Sequence, residues 1–132
     1  MKSIFKVGDQ IQLQHLVVEA DLASFKEENV HPFYSTFALG REAEWVCRQF
    51  VLQMKDNDEE GIGTFLNIRH LSPAFLNDTV EFTATIEILE GHKIDCSFQA
   101  KVGDRVIAEG EQGQKILKKE KVERLIQSVK NG

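Results

Sequence analysis

One long apolar helix followed by four alternating runs leaves this chain few folds to choose from. From about Thr36 to Lys55, the residues Leu39, Ala43, Val46, Cys47, Phe50 and Met54 recur at helical spacing and make one apolar stripe. Trp45 and Leu52 fall on the opposite side, so the helix is predicted to be covered by protein on two faces. DNDEEG, Asp56 to Gly61, reads as the turn out of it, with Asp56, Asp58, Glu59 and Glu60 in a solvated loop. After Gly61 the period changes to two. Ile62, Thr64, Leu66, Ile68 and His70 are predicted to share one face of a strand from Gly61 to Leu71. Val80 to Ile88, Ile94 to Val102 and Val106 to about Ile116 alternate in the same way, separated by turn signals at Asn77-Asp78, Gly91-His92 and Gly103-Asp104. A meandering antiparallel sheet curled around a doubly buried helix accounts for this order, and the fold class is α+β.

The remainder of the chain adds an edge and a tail. Ile11 to Glu19 reads as a first strand with Ile11, Leu13, His15 and Val17 on one face. Asp21 to Tyr34 is predicted to be irregular, with a short helical piece around Leu22 to Glu27 and a break at His31-Pro32; so long a connection suits a lid or binding loop. The last segment reads as an amphipathic helix of about 118–130, with Leu117, Val122, Leu125 and Val129 inward. At 132 residues, 42% hydrophobic and with nine Phe, the chain is expected to be a single domain, 1–132, with a genuine core. A net charge of −5 argues against nucleic-acid or anionic-membrane partners. No apolar run suits a signal peptide or a membrane span, so a cytoplasmic protein is expected. Cys47 and Cys96, apart and flanked by apolar residues, are expected to be buried reduced thiols.

Three polar residues sit where chemistry could use them. His70 ends an apolar strand face, where an imidazole titrating near neutrality can act as base or nucleophile; a histidine bonded to backbone at the core edge is the plainer alternative. Glu44 flanks the apolar stripe, and Gly40 one turn earlier leaves a patch where a ligand could lie over the carboxylate. The alternative is an ion pair with Arg48 at i+4. Thr36 either caps the helix, in competition with Ser35, or presents its hydroxyl beside free N–H groups able to hold an oxyanion. Thr36 and Glu44 stand eight residues apart, about 12 Å along a straight helix, so they cannot touch within it. Phosphate-loop, HExxH, GxSxG and Cys/His metal spacings are absent, and no metal is expected.

Taken in order, Thr36, Ala38-Leu39, Glu44, a Gly63-x₆-His70 strand and Pro73 resemble the hotdog-fold thioesterases, and among them the fluoroacetyl-CoA thioesterase group. The resemblance runs from about Ile11 to Ile116 and includes the strand pair in Gly103 to Gln114. It implies a catalytic set of Thr36, Glu44 and His70, with Gly63 lining the site, and a homodimer or higher homo-oligomer with active sites between subunits. It implies no cofactor beyond the coenzyme A of the substrate. Phe37 stands where that group has proline, and EENV, Glu27 to Val30, does not match its aromatic lid; Phe25, Phe33 and Tyr34 are the available substitutes.

The expected activity is metal-free hydrolysis of a small or medium acyl-CoA thioester. Phe33, Tyr34, Gly40 and Arg69 are expected to contact substrate, and Arg69, Lys93 and Arg105 are the cations available to CoA phosphates. A non-catalytic acyl-CoA-binding module and an enoyl-CoA hydratase are the rivals.

Overall fold

The helical stripe and the alternating runs segregate into two layers, a helix lying on a sheet. The computed structural model describes residues 1–25 and 28–132. Strands β1 (Gln10–Leu16), β2 (Leu22–Phe25) and β3 (Glu28–Tyr34) precede helix α1 (Thr36–Met54). Then come β4 (Glu59–His70), β5 (Thr79–Glu90), β6 (Lys93–Val102), β7 (Arg105–Lys118) and helix α2 (Lys119–Asn131). The antiparallel sheet runs β1-β5-β6-β7-β4, so β4 is an edge strand, while β2 and β3 pair separately.

All six stripe residues of α1 are buried, against Phe82 and Ile86 of β5, Ile94 and Phe98 of β6 and Ile116 of β7. Cys47 and Cys96 face each other there as buried free thiols; the Cys96 thiol and then burial push the Cys47 thiol up. On the other side of α1, Trp45 and Leu52 remain 48% and 38% exposed. Among the described residues two-sided coverage therefore does not occur within one chain, because the five-stranded sheet lies on one side of the helix.

Five local expectations are corrected. Leu22 to Phe25 is strand rather than helix, paired with β3 (Lys26 and Glu27 lie outside the described residues). Pro32 is accommodated within β3, as proline is in edge strands. Glu59 is not solvated: it is 1% exposed, 2.8 Å from the Met1 ammonium, and accepts the Asp56 N–H. The ammonium and then that N–H hold its carboxyl below the usual range. In α2 no residue is buried, and Leu125 and Val129 are exposed, because the helix leaves the sheet edge with little to pack on.

The fifth correction concerns β4. Its pairing with β7 slips between Gly63 and Phe65, one extra residue that reverses the alternation. Before the slip Gly61 and Gly63 face α1: an added Cβ would meet Val51 at 2.4 Å and the Glu44 carboxylate at 3.0 Å respectively. After it Leu66 and Ile68 face the helix at Gly40, and Ile62 is left on the outer side. His70, two residues past Ile68, keeps the helix side. Among the described residues no helix is long and apolar enough to cross a membrane.

Candidate active site

The start of α1 and the end of β4 meet beside the β2–β3 hairpin. Ser35, not Thr36, caps the helix: its Oγ accepts the Ala38 N–H at 3.0 Å, and its carbonyl accepts the Leu39 N–H at 2.9 Å. The N–H groups of Thr36 and Phe37 are thus the orphan donors of the first turn, and the Thr36 hydroxyl is free for other work. It is used: Thr36 Oγ1 lies 2.8 Å from His70 Nε2. Register places His70 opposite Ala108, and the chain then turns, with the N–H groups of Leu71 and Ser72 both donating to the Ile107 carbonyl. Arg105 fastens this turn, bonding Ser72 Oγ at 2.6 Å and the Pro73 carbonyl.

This pair opens onto a cavity of about 610 Å³, a size suited to a small organic ligand. Leu22, Phe33, Tyr34, Leu39, Leu71 and Pro73 supply its apolar wall. Phe33 stacks edge-on to Phe75 at 5.5 Å, and Tyr34 is 4% exposed, its phenol pushed up by burial. His31 also lines the cavity; its Nδ1 accepts the Phe33 N–H at 3.3 Å, so a neutral ring carries its proton on Nε2.

Glu44 lies elsewhere. The helix runs unbroken from Thr36, and the carboxylate stands in a second crevice of about 380 Å³ with Arg41, Trp45, Arg48 and Gly63. Buried Gln112 and Gln114 line that crevice too, and among the described residues Gln112 Oε1 and Gln114 Nε2 have no hydrogen-bond partner. Arg48 reaches Glu60 at 3.1 Å and the Gly61 carbonyl at 3.2 Å, so the i+4 ion pair with Glu44 is not formed. One chain therefore unites Thr36 with His70 and sets Glu44 beside Gly63.

The remaining candidates divide. Phe33 and Tyr34 line the cavity. Gly40 leaves no open patch, since an added Cβ would meet Ile68 at 3.0 Å and Leu66 at 3.4 Å; its role is close packing of α1 on β4. Arg69 alternates with His70 and lies on the outer sheet face, 3.6 Å from Glu109, while Lys93 pairs with Asp95. Leu22, His31, Gln112 and Gln114 are not among the site residues expected from the sequence. The last two could have been found from the inward parity of their strand.

Known proteins share this fold. The family model of fluoroacetyl-CoA-specific thioesterases, FlK, matches residues 17–120. No curated protein matches the chain. A hypothetical protein of Thermus thermophilus, a thioesterase superfamily member, superposes with a TM-score of 0.89 at 30% identity, over 96% of this chain and 93% of its own. A hot-dog-like protein from Thermanaerovibrio acidaminovorans gives 0.86 at 22% identity, over 94% and 92%. A variant of FlK in complex with fluoroacetate and CoA gives 0.82 at 19% identity, over 89% and 99%. The chain belongs to the fluoroacetyl-CoA-specific thioesterase family of the hotdog superfamily, and it is a thioester hydrolase.

Proposed function

We propose that this protein hydrolyses small or medium acyl-CoA thioesters in the cytoplasm, as a homodimer and without a metal. The observation that carries the reading is the 2.8 Å contact of Thr36 with His70 at the head of an apolar cavity. The thioester carbonyl lies over the start of α1. Water or the Thr36 hydroxyl adds to the carbonyl carbon, its proton passes to His70 Nε2, and the N–H groups of Thr36 and Phe37 hold the oxyanion. Collapse expels the CoA thiolate, which takes the proton from His70. Where Thr36 is the attacking group, a second round with water clears the acyl-enzyme.

A second copy supplies what one chain lacks. Strand β4 has a free edge, and Trp45, Ile62, Phe65 and Leu66 near it are all more than a third exposed, a patch that pairing of two copies would cover. Glu44 of one subunit then serves the Thr36 and His70 of the other, orienting the imidazole or the water. The relative solved with CoA supports the CoA ester as substrate. Fluoroacetyl-CoA is not favoured, because Phe37 and EENV, Glu27 to Val30, depart from that group's pattern. A thiol-release assay over acyl-CoAs of graded length tests the reading. Release that is fastest with acyl groups of up to medium length supports it, and binding of acyl-CoA with no release at all refutes it.

A further inference from the structure

A second cluster of titratable groups lies behind the cavity and plays no part in the chemistry above. At its centre is Asp21, a buried carboxylate 2% exposed at the base of the β2–β3 hairpin. Its Oδ2 accepts from His15 Nε2 at 2.7 Å and from the Val18 N–H at 3.0 Å, and its Oδ1 accepts from Arg41 at 3.2 Å. Glu42 stands 3.8 Å from the other His15 nitrogen and 3.6 Å from Arg41. Three elements are joined here: β1 through His15, the hairpin stem through Asp21 and Val18, and α1 through Arg41 and Glu42.

The same residue also holds the active end of the helix. The Asp21 carbonyl accepts the Ser35 N–H at 2.9 Å, one residue before Thr36. Its neighbours Ala20, Leu22 and Ala23 line the cavity, as does Tyr34, whose ring stacks on His15 at 5.8 Å. A surface loop needs no buried charge, which must be compensated by strong hydrogen bonds to be tolerated. Here that compensation is complete, and its effect is to hold one wall of the cavity at a set distance from Thr36.

We propose that Asp21 is a positioning residue: its carboxylate latches the hairpin stem to β1 and α1, and so fixes both the width of the acyl cavity and the place of Thr36. The proposal rests on the thioesterase reading for its kinetic consequence, though not for its structural one. The test takes the full-length protein with Asp21→Asn and, as a milder variant that keeps the buried carboxylate, Arg41→Met. Hydrogen–deuterium exchange reads the latch, and kcat and KM over acyl-CoAs of graded length read the cavity. In Asp21→Asn, amides of residues 18–25 and 34–36 should exchange about tenfold faster or more, with those of residues 43–51 unchanged. KM should rise about tenfold for the longest acyl group accepted and much less for acetyl, a change of selectivity that simple loss of folded protein cannot produce. Arg41→Met should move both readouts the same way by a smaller factor, and it carries the test alone where Asp21→Asn fails to fold. His15→Gln, which keeps a donor, should stay nearer to wild type than His15→Leu. Unaltered exchange at residues 18–25 in a folded variant overturns the latch. Faster exchange with the chain-length profile unchanged overturns its role in the cavity. A wild-type protein that releases no thiol would refute the thioesterase reading while leaving the exchange result to decide the latch.

Discussion

The two crevices along α1 are unlike in a way that bears on assembly. The one at the helix start is closed on three sides by the hairpin, the helix and the turn after His70, and its reactive pair is in contact at 2.8 Å. The one two turns on holds a solvent-exposed carboxylate beside a glycine, with one amide atom on each of two buried glutamines that finds no partner among the described residues. A single polypeptide finishes the first site and leaves the second half-built. The hydroxyl and imidazole come from elements that one register brings together, whereas the carboxylate sits a fixed helical distance of about 12 Å away. In the dimer proposed above, a second copy closes that distance.

This contrast can be attacked at either crevice. The largest effect is expected from His70→Ala, which should lower kcat by about 10²–10⁴-fold while acyl-CoA binding, read by calorimetry, persists. Glu44→Gln should cost about 10²-fold in kcat by steady-state assay. Mixing it with His70→Ala should then restore activity, to about a quarter of wild type if subunits exchange at random in a two-fold dimer. Failure of the mixture to recover would place all three residues in one chain's site and remove the contrast. Gly63→Ala puts a Cβ 3.0 Å from the Glu44 oxygen. The carboxylate end can swing away, so the thermal midpoint should hardly move while kcat falls by about tenfold. The smallest effect concerns pH. Burial opposes the charge on Asp21, but the Val18 N–H and the His15 ring outweigh it and hold its carboxyl below the usual 3.8. Its contribution to stability is thus present above pH 3.8 and is lost as pH falls through the lowered folded value. Denaturant titrations should show wild type losing stability below about pH 4 more steeply than Asp21→Asn does.

Much of this was legible in the residues, for reasons that are themselves physical. The stripe from Leu39 to Met54 and the alternation from Val80 to Val102 are long and strongly periodic, and the elements and their buried faces are as expected, except that the β5–β6 pairing slips after Ile86 and turns Leu89 rather than Ile88 onto the core. The meeting of Thr36 and His70 could be anticipated because each stands at the end of such an element. What was hidden is what periodicity does not encode. His31-Pro32 is a helix breaker in sequence but tolerable in one strand of a two-stranded ribbon, so β2 and β3 went unseen. Gly40 was read as open space, yet an absent side chain admits a neighbour as readily as a ligand, and Ile68 fills the gap. The changed parity of β4 left only two traces, Gly61 and Gly63, both of them without side chains by which a face could be judged. The outward direction of Arg69 was implicit in the inward direction of His70.

That irregularity in β4 has a consequence for how the edge can vary. The location of the imidazole is counted from its partner Ala108 across the ladder, whereas Gly63 is counted from Gln114, and Thr64 is the surplus between the two counts. A homologue or variant lacking that surplus would regain an uninterrupted ladder with both ends where they are now. The edge strand thus holds one residue of slack, and a deletion spent there leaves the reacting groups where they were.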